Sequence, residues 1–379
     1  MPPHPSTLDR VIQPDATGFL SLAQPTARRI VRRAAEAGRL GRTLLVCGPS
    51  GAGKGSFVDD LLALAFCTAD GTGERPCNGC RGCRDARART HPDLVVGSPD
   101  AWRAARSTGE SIVGAARRWL LEAAGAPVTA PRRIVLIESA DRANEQTQNA
   151  LLKALEEPSD RHAFILVADE PSRLLPTIRS RCQPIRIGRV PADELVTFLV
   201  DRRQLPKDLA TSIARLSHGL VGRAVRLVDH RNHLDWRRRT QVELLALLRL
   251  GRAERFAAAR DLLDETARLG AADLQPPDED EVRTPAAAQR AAALSLVEAW
   301  LELTRDLLVV AAGRPELAPG GELGPELERV APAIDPAQLV HVAGLLERMH
   351  DALRENAAPK LSLETAMLAW PWLPVAEHR

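Results

Sequence analysis

Five short apolar runs, each separated from the next by enough residues for a crossover helix, constrain the fold of this chain more than any other feature. They are Thr43–Cys47, Asp93–Val96, Arg133–Ile137, Ala163–Ala168 and Pro184–Ile187. Apolar and β-branched runs that alternate with helix-length segments are typical of an open α/β sheet whose strands are parallel. We therefore predict a five-stranded parallel sheet covered by helices.

Beyond about Val190 the strand pattern stops, and apolar residues recur at the spacing of a helix. This change predicts a sheet domain over residues 1–189, followed by a small helical domain over residues 190–233. A third domain, again all helical, is predicted over residues 234–379. The spacing is clearest in Glu194–Arg202, Leu209–Ser217, Arg223–Val228, Ala286–Ala312 and Ala337–Ala352.

One segment interrupts the helical pattern of the last domain. Gln275–Pro285 is rich in proline and acidic residues, a composition that buries too little apolar surface to fold and indicates a disordered loop. The role of its acidic residues, 276–282, is left open by the sequence.

The bulk composition excludes several classes of protein. The chain has 379 residues, of which 45% are hydrophobic and 26% charged, enough for two or three domains with sizeable cores. Its formal net charge of +2 gives no overall electrostatic field that would attract nucleic acid, so any contact with DNA must be local. No apolar run approaches the roughly 18 residues that span a bilayer, and the first residues lack the pattern of a leader. The expected location is the cytoplasm.

A glycine-rich sequence, GPSGAGKGS at Gly48–Ser56, follows the first predicted strand and precedes a predicted helix. The glycines at Gly48, Gly51 and Gly53 allow a tight turn whose amides face a pyrophosphate, and Lys54 reaches the outer phosphates. The composition predicts a site for ATP or ADP. The alternative is a glycine-rich turn between strand and helix that binds nothing.

The residue after the lysine argues against a complete ATPase site. Phosphate-binding loops place Ser or Thr there, because the hydroxyl binds Mg²⁺, whereas this chain has Gly55. Ser56 follows one position late, and one residue along a helix rotates a side chain by roughly 100°. We keep Ser56 among the candidate cofactor-binding residues, but expect it to point away from the metal.

A second departure lies after the third predicted strand. An ATPase needs an acidic pair there, one carboxylate for the metal and one to activate water. The strand Ile134–Ile137 ends instead in Glu138, Ser139, Ala140 and Asp141. Since Ser139 cannot act as a carboxylate base, two catalytic positions are changed, and we predict that the chain does not hydrolyse ATP.

Four of the six cysteines cluster with the spacing C-x9-C-x2-C-x2-C. Four thiolates suit tetrahedral Zn²⁺, and the short spacers allow turns that aim several sulfurs at one point. We predict a structural zinc site in a module over residues 67–85, with no position open for water. The alternative is a redox centre. The predicted ligands are Cys67, Cys77, Cys80 and Cys83.

These motifs occur in an order that resembles a known family. GPSGAGKGS, the cysteine cluster, THPDL, RIVLIESADRANEQTQNALLKALEEP and FILVADEPSRLLPTIRSRC together resemble the clamp-loader branch of the AAA+ ATPases. Within that branch they are most similar to the delta-prime subunits of bacterial DNA polymerase III. The resemblance is strong over residues 20–190; the C-terminal half shares only its helical character and length.

The resemblance implies an AAA+ module with a helical lid and a C-terminal collar, in a subunit of a pentameric ring. The partners it implies are the gamma/tau and delta subunits, and through the complex the sliding clamp and primed DNA. A gamma/tau-like subunit that hydrolyses ATP is the first alternative, although Gly55 and Ser139 depart from it. The second alternative is a zinc-ribbon nucleic-acid-binding protein with a vestigial NTPase fold.

The resemblance also assigns a catalytic role outside the chain's own nucleotide site. In the SRC motif, Arg181 is expected to reach ATP bound by a neighbouring subunit and to stabilise transition-state charge as a trans arginine finger. Arg179 is its nearest competitor, and a local ion pair is the alternative role. Related ATPases carry a nucleotide-sensing arginine in the lid at the position of Gly222, which is a third departure from an active site.

Overall fold

A computed structural model describes nine stretches of the chain. They are residues 18–36, 43–69, 75–107, 109–156, 159–229, 231–269, 285–318, 323–354 and 357–373. The chain divides into two compact units, residues 1–225 and 226–379. The predicted disordered loop falls outside the described residues, except for Pro285, which begins a helix.

The first unit is built on a five-stranded parallel sheet, as the apolar runs predict. The strand order is β2-β3-β4-β1-β5. The strands are β1 (Thr43–Cys47), β2 (Leu94–Gly97), β3 (Arg133–Ile137), β4 (His162–Ala168) and β5 (Gln183–Arg186). Each begins and ends within one residue of its predicted run.

Both faces of the sheet are covered, which is why its central strands are apolar at every position after the first rather than at alternate ones. In β1, Leu44 and Val46 face one buried cluster together with Phe57 and Leu61. Leu45 and Cys47 face the opposite cluster. Parallel strands need crossover helices, and those helices supply the two covering layers.

Helices connect and cover the strands of the first unit. They are α1 (Pro25–Glu36), α2 (Lys54–Phe66), α3 (Arg81–Arg87), α4 (Pro99–Ala104), α5 (Ile112–Ala123), α6 (Glu145–Glu156) and α7 (Pro176–Arg181). Residues of α1 and α2 pack on one face of the sheet, and residues of α4, α5, α6 and α7 pack on the other. Three more helices follow the sheet: α8 (Ala192–Arg203), α9 (Lys207–Leu216) and α10 (Val221–Asp229).

The sheet topology places three loops at one edge. In the register of the strands Cys47 lies opposite Ala168, and Ile137 lies opposite Leu166. The chain therefore leaves β1, β3 and β4 at the same carboxyl edge of the sheet, where ligands bind in open α/β folds. Both predicted halves of the nucleotide site lie there.

The second unit consists of helices packed around one apolar core. The helices are α11 (Arg231–Ala246), α12 (Arg252–Arg268), α13 (Pro285–Ala311), α14 (Gly324–Val330), α15 (Pro336–Arg354) and α16 (Pro359–Ala369). Trp300 of α13 and Trp370 after α16 meet edge to face, with ring centroids 5.2 Å apart. Among the described residues, no helix has both the length and the apolar character that crossing a membrane requires.

A buried arginine fixes the end of the described chain to this core. Arg255 of α12 donates hydrogen bonds to the carbonyl oxygens of Leu248, Leu250, Trp370 and Pro371. Burial lowers the pKa of its guanidinium. Five N–H groups in a fixed fork can satisfy several carbonyls at once, so this arginine joins two chain segments that leave their helices.

Candidate functional site

The phosphate-binding loop is shaped by close backbone approaches at the edge of the sheet. A Cβ atom at Gly48 would lie 2.0 Å from the carbonyl oxygen of Ile187, so only glycine fits there. Gly53 caps α2 with a φ of 95°, a left-handed conformation that favours glycine. The amides of Gly51 and Gly53 donate to no acceptor in the described part of the chain. The loop thus presents free N–H groups at the N-terminus of a 13-residue helix.

The ammonium group of Lys54 is already held by oxygen atoms of this chain. Its Nζ donates to the carbonyl oxygens of Gly48 at 2.7 Å and Pro49 at 2.9 Å. It also lies 2.5 Å from Oδ1 of Asp169, the residue that follows β4. Three donors therefore meet three oxygens, and only 8% of the side chain is exposed. A phosphate must displace one of these oxygens to reach the lysine.

The two residues after the lysine behave differently from each other. A Cβ atom at Gly55 would meet no atom within 4 Å, so the loop has room for the hydroxyl that is missing. Ser56 is exposed and its hydroxyl makes no hydrogen bond to the described residues. The absence of a magnesium ligand at position 55 is therefore a property of the sequence and not of crowding.

The carboxylate after β3 is tied to a neighbouring arginine. Oε1 of Glu138 lies 2.6 Å from Nη1 of Arg89. The same guanidinium donates through Nε to Oδ1 of Asp59 in α2 at 3.1 Å. Burial raises the pKa of Asp59, although Arg89 acts in the opposite direction. The next residue, Ser139, has a φ of 47°, in the left-handed region.

Asp141, the other acidic group of this strand end, binds backbone. Its Oδ2 accepts hydrogen bonds from the amides of Asp169 at 3.1 Å and Glu170 at 2.8 Å. Since these amides begin the turn that carries Asp169 to Lys54, Asp141 positions the internal partner of the lysine. The acidic groups of the site are thus engaged with this chain's own donors.

The first helical turn of α10 lies against the phosphate loop. The amide of Gly222 donates to the carbonyl oxygen of Gly51 at 2.8 Å. A Cβ atom at position 222 would approach Gly51 to 3.2 Å. The residue type at Gly222 therefore affects the loop directly, and a larger side chain there requires the loop to shift slightly.

Arg181, the predicted arginine finger, is the last residue of α7 and is exposed. Its Nη2 lies 2.9 Å from Oε1 of Glu156, and its Nη1 donates to the carbonyl oxygen of Thr177 at 3.0 Å. Arg179 is also exposed, and its side chain makes no hydrogen bond or ion pair with the part of the chain that the structure describes. Arg181 thus has the local ion pair that the sequence analysis left as its alternative role.

The four predicted metal ligands converge. The Sγ atoms of Cys67, Cys77, Cys80 and Cys83 all lie within 4.8 Å of one another. Four sulfurs around one tetrahedral Zn²⁺, at about 2.3 Å each, lie about 3.8 Å apart. The donor set and the spacing therefore fit a metal ion with four thiolate ligands.

Backbone amides donate hydrogen bonds to two of these sulfurs. The amide of Cys80 donates to Sγ of Cys77 at 3.3 Å, and the amide of Cys83 donates to Sγ of Cys80 at 3.4 Å. Burial acts to raise the pKa of the Cys80 thiol, but the amides of Thr68 and Cys83 outweigh it and lower the pKa to about 5. Because the thiolate is the metal ligand, the lowered pKa of Cys80 favours metal binding at that sulfur, whereas burial raises the pKa of the Cys83 thiol.

The cysteine module packs against the end of α2. A Cβ atom at Gly82 would lie 2.0 Å from the carbonyl oxygen of Phe66, so α3 approaches α2 at backbone contact. The ring of His91 stacks on Phe66 with centroids 3.7 Å apart. The module is therefore attached to the same helix whose N-terminus forms the phosphate loop.

The THPDL motif has a structural role. Asp93 is fully buried, and its carboxylate accepts hydrogen bonds from the amides of Val128, Thr129 and Ala130 and from the hydroxyl of Thr129. Burial alone would raise the pKa of Asp93, but these donors lower it to about 2. Asp93 thus fixes the loop that leads into β3.

Sequence reasoning missed two residues of the site, Asp169 and Arg89. Asp169 was open to prediction, because it directly follows a strand that was predicted and so lies at the carboxyl edge of the sheet. Arg89 was not, since it reaches Glu138 from a segment of no recognisable pattern.

Comparison with known proteins gives a family model and several similar proteins. Residues 23–191 match the family model described as DNA polymerase III, delta subunit. The DNA polymerase III subunit delta-prime of Bacillus subtilis is 29% identical over 209 residues, which are 54% of this chain and 58% of that protein. The delta-prime subunit of Escherichia coli is 32% identical over 197 residues, 52% of this chain and 57% of that protein.

Two further matches are to a gamma/tau subunit and to a solved structure. The gamma/tau subunit of Mycobacterium tuberculosis is 33% identical over 148 residues, 39% of this chain and 24% of that protein. A solved variant of Thermotoga maritima RuvB is 19% identical and covers 56% of this chain and 63% of its own, with a TM-score of 0.37, which carries no functional argument.

The chain spans little more than half the length of the delta-prime subunits of Bacillus subtilis and Escherichia coli. The range matched by the family model contains the sheet, the phosphate loop and the cysteine module. The resemblance that the motifs indicated is therefore confirmed: residues 23–191 match the family model, and the chain is similar to delta-prime subunits of DNA polymerase III.

Proposed function

We propose that this chain is a clamp-loader subunit of DNA polymerase III that does not hydrolyse ATP and that supplies Arg181 to a nucleotide bound by a neighbouring subunit. Its partners would be gamma/tau and delta subunits in a pentameric ring that loads the sliding clamp onto primed DNA. In this proposal the first unit supplies the AAA+ module and the helices after the sheet, residues 190–233, form the lid. The helices of the second unit, residues 234–379, form the collar.

The absence of ATP hydrolysis is proposed mainly from the residues that follow β3. Activation of water needs a carboxylate free to accept a proton. Glu138 is instead paired with Arg89 at 2.6 Å, and Ser139 follows in place of a second acid. Together with the missing hydroxyl at Gly55, this supports a subunit without ATPase activity of its own. Binding of ATP or ADP by the loop amides stays compatible with the geometry.

The location of Arg181 supports the second part. Its ion pair with Glu156 is exposed, with 38% and 46% of the two side chains accessible. Such surface pairs contribute roughly 0–1 kcal/mol, so the guanidinium can exchange Glu156 for a phosphate at little cost. An arginine at a subunit edge that reaches a transferred phosphate raises the rate by about 10³-fold or more.

We also propose that the cysteine module holds one structural Zn²⁺. All four positions of a tetrahedral ion are filled by thiolates in this arrangement, which leaves no site for a reacting water. When bound, the ion would cross-link the end of α2 to α3. Its contribution is thus expected in folding of the module rather than in chemistry.

The experiment that tests the proposal reconstitutes the ring with variants of this chain. With Arg181→Ala we expect a folded subunit that enters the ring but a partial, severalfold loss of DNA-stimulated ATPase and clamp loading. Arg181→Lys should not restore the rate, because a point charge cannot replace the guanidinium fork. Arg179→Ala is the matched control, from the same helix turn, and should leave the rate unchanged. Equal rates for the Arg181→Ala ring and the unmodified ring would reduce Arg181 to a surface ion-pair residue.

A gamma/tau-like ATPase is the second candidate. The match to a gamma/tau subunit and the unoccupied amides of Gly51 and Gly53 favour it. Steady hydrolysis by the isolated chain, abolished by Lys54→Ala, would support this alternative. Background turnover in both proteins would support the non-hydrolysing subunit.

A further inference from the structure

A buried carboxylate of α2 joins the cysteine module to the segment that precedes α1. Asp60 is 0% exposed. Its Oδ1 accepts a hydrogen bond from the amide of Leu20 at 2.8 Å, and its Oδ2 accepts one from the amide of Ser21 at 2.7 Å. Its cationic partner is Arg87, whose Nη2 donates to Oδ1 at 2.9 Å. Arg87 is the last residue of α3, the helix that contains Cys83.

A second set of contacts runs parallel to the first. The guanidinium of Arg87 also donates to Oδ1 of Asn78, through Nε at 2.8 Å and Nη2 at 2.6 Å. The Nδ2 of Asn78 donates in turn to the carbonyl oxygen of Gly18 at 2.8 Å. Asn78 lies between Cys77 and Cys80. Every side chain of the module in this network is thus within four residues of a metal ligand.

The backbone of the module also touches the segment directly. A Cβ atom at Gly18 would lie 2.4 Å from the carbonyl oxygen of Pro76, and Gly18 has a φ of 73°. No side chain fits between the two loops. Residues 18–21 are therefore held by α2 from one side and by the cysteine module from the other.

This segment forms one wall of a cavity of about 530 Å³. Phe19, Leu20 and Ser21 line one side, and Thr197 and Phe198 of α8 line the other. The position of the segment therefore determines the shape of the cavity.

We propose that the cysteine module holds residues 18–21, and with them this cavity wall, in place. Arg87 and Asn78 are the positioning residues, because their hydrogen bonds connect the fold of the metal-bound module to the segment. Loss of the metal releases the turn that carries Asn78 and the helix that carries Arg87. Asp60 then keeps a buried charge without its cation, which strongly destabilises the contacts around it. The module thus acts on the N-terminal segment at a distance from the phosphate loop.

The test follows hydrogen exchange of the amides of Leu20 and Ser21 in the full chain, because both donate to Asp60. Treatment with EDTA is expected to accelerate their exchange by roughly tenfold or more, since a hydrogen bond to a charged group contributes about 1.5–3 kcal/mol. The amides of β3 are the internal control and should stay slow. Unchanged exchange at Leu20 and Ser21 in metal-free protein would overturn the proposal.

Variants separate this positioning role from the metal site itself. Arg87→Met should retain the metal but accelerate exchange at Leu20 and Ser21, whereas Arg84→Met, an exposed arginine of the same helix, should change neither. Asn78→Gly removes only the amide side chain and tolerates the φ of 56° at this position, so it serves if Arg87→Met does not fold. Exchange in Asn78→Gly and Arg87→Met that equals that of the unmodified chain would show that the module does not position the segment.

Discussion

The cysteine module and the carboxyl edge of the sheet lie at opposite ends of the same helix, α2, yet their side chains are organised in opposite ways. In the module four thiols converge within 4.8 Å, and neighbouring amides favour the charge that a metal requires. At the sheet edge Lys54, Glu138 and Asp141 each have a partner within the chain. The first region is arranged to receive a ligand, and the second has satisfied its charges without one.

Under the proposed function, the difference would explain how a phosphate loop is retained in a chain that does not hydrolyse ATP. Free amides and space at Gly55 preserve the shape of a phosphate loop. Asp169 and Arg89 engage the groups that would act on a nucleotide. The charges of Lys54 and Glu138 are therefore paired without a nucleotide, which is compatible with the proposed subunit that acts through Arg181.

The largest effect is expected from removal of a metal ligand. Cys80→Ser should lose about one equivalent of bound zinc and lower the free energy of unfolding by about 2 kcal/mol or more, because metal binding is part of the folding energy of such modules. Elemental analysis and thermal unfolding measure both quantities. Cys182→Ala is the matched control, since Cys182 is buried away from the cluster, and should retain the metal. Full metal content in Cys80→Ser would remove Cys80 from the ligand set.

The sequence predicts these two regions to different extents for a physical reason. The cysteine site is encoded within one segment, so the convergence of its four cysteines is confirmed, while their role as zinc ligands stays a prediction. The phosphate loop is equally local, and Gly48, Gly51 and Gly53 adopt the tight turn. The partners of Lys54 and Glu138 come from distant segments. Asp169 was open to prediction from its position directly after β4, whereas no pattern in the sequence indicates Arg89.

Strands and buried charges also differ in how well the sequence predicts them. All five strands were predicted to within one residue, because apolar runs buried on both faces have few alternatives. The buried arginines were not. Arg237, for example, is 4% exposed and pairs with Glu302 of α13. Burial of a charge depends on a partner that composition and spacing do not specify.

Acid should weaken the loop that leads into β3, which Asp93 holds. Its folded pKa of about 2 lies below the value of about 3.9 in an unfolded chain. Its stabilisation, roughly 2–3 kcal/mol, is therefore complete above about pH 5 and is lost progressively as the pH falls through 2. Asp93→Asn should lose this stability at neutral pH and flatten the acid limb between pH 4 and 2. Denaturant unfolding across this range measures it, and an unchanged acid limb in Asp93→Asn would contradict the assignment.

A smaller effect is expected when the internal partner of Lys54 is neutralised. Asp169→Asn keeps the shape but removes the negative charge, so the affinity of the loop for pyrophosphate should rise roughly fivefold, as expected for one charge contact near the surface. Isothermal titration calorimetry measures the change. Glu170→Gln alters the charge of the next residue, which pairs with Arg173, and should leave the affinity unchanged. Equal affinities in Asp169→Asn and the unmodified chain would mean that Asp169 does not compete with phosphate.

The smallest effect should come from restoring the missing hydroxyl, and it distinguishes a loop that lacks a magnesium ligand from one that has moved it to Ser56. A Cβ atom at position 55 lies in open space, so Gly55→Ser should fold without strain. If the ligand is missing, ADP binding by the unmodified chain should be independent of Mg²⁺. Gly55→Ser should then introduce a Mg²⁺ dependence of roughly twofold in ADP affinity, since a single neutral oxygen ligand adds little to a metal held mainly by phosphate and water. Ser56→Ala should then leave ADP binding unchanged.

The opposite pattern, a Mg²⁺ dependence already present in the unmodified chain and abolished by Ser56→Ala, would show that the loop is re-registered by one residue. Parallel titrations of the three proteins with and without Mg²⁺ decide between the two, and neither result requires hydrolysis, because Ser139 and the pairing of Glu138 with Arg89 are unaltered in all of them.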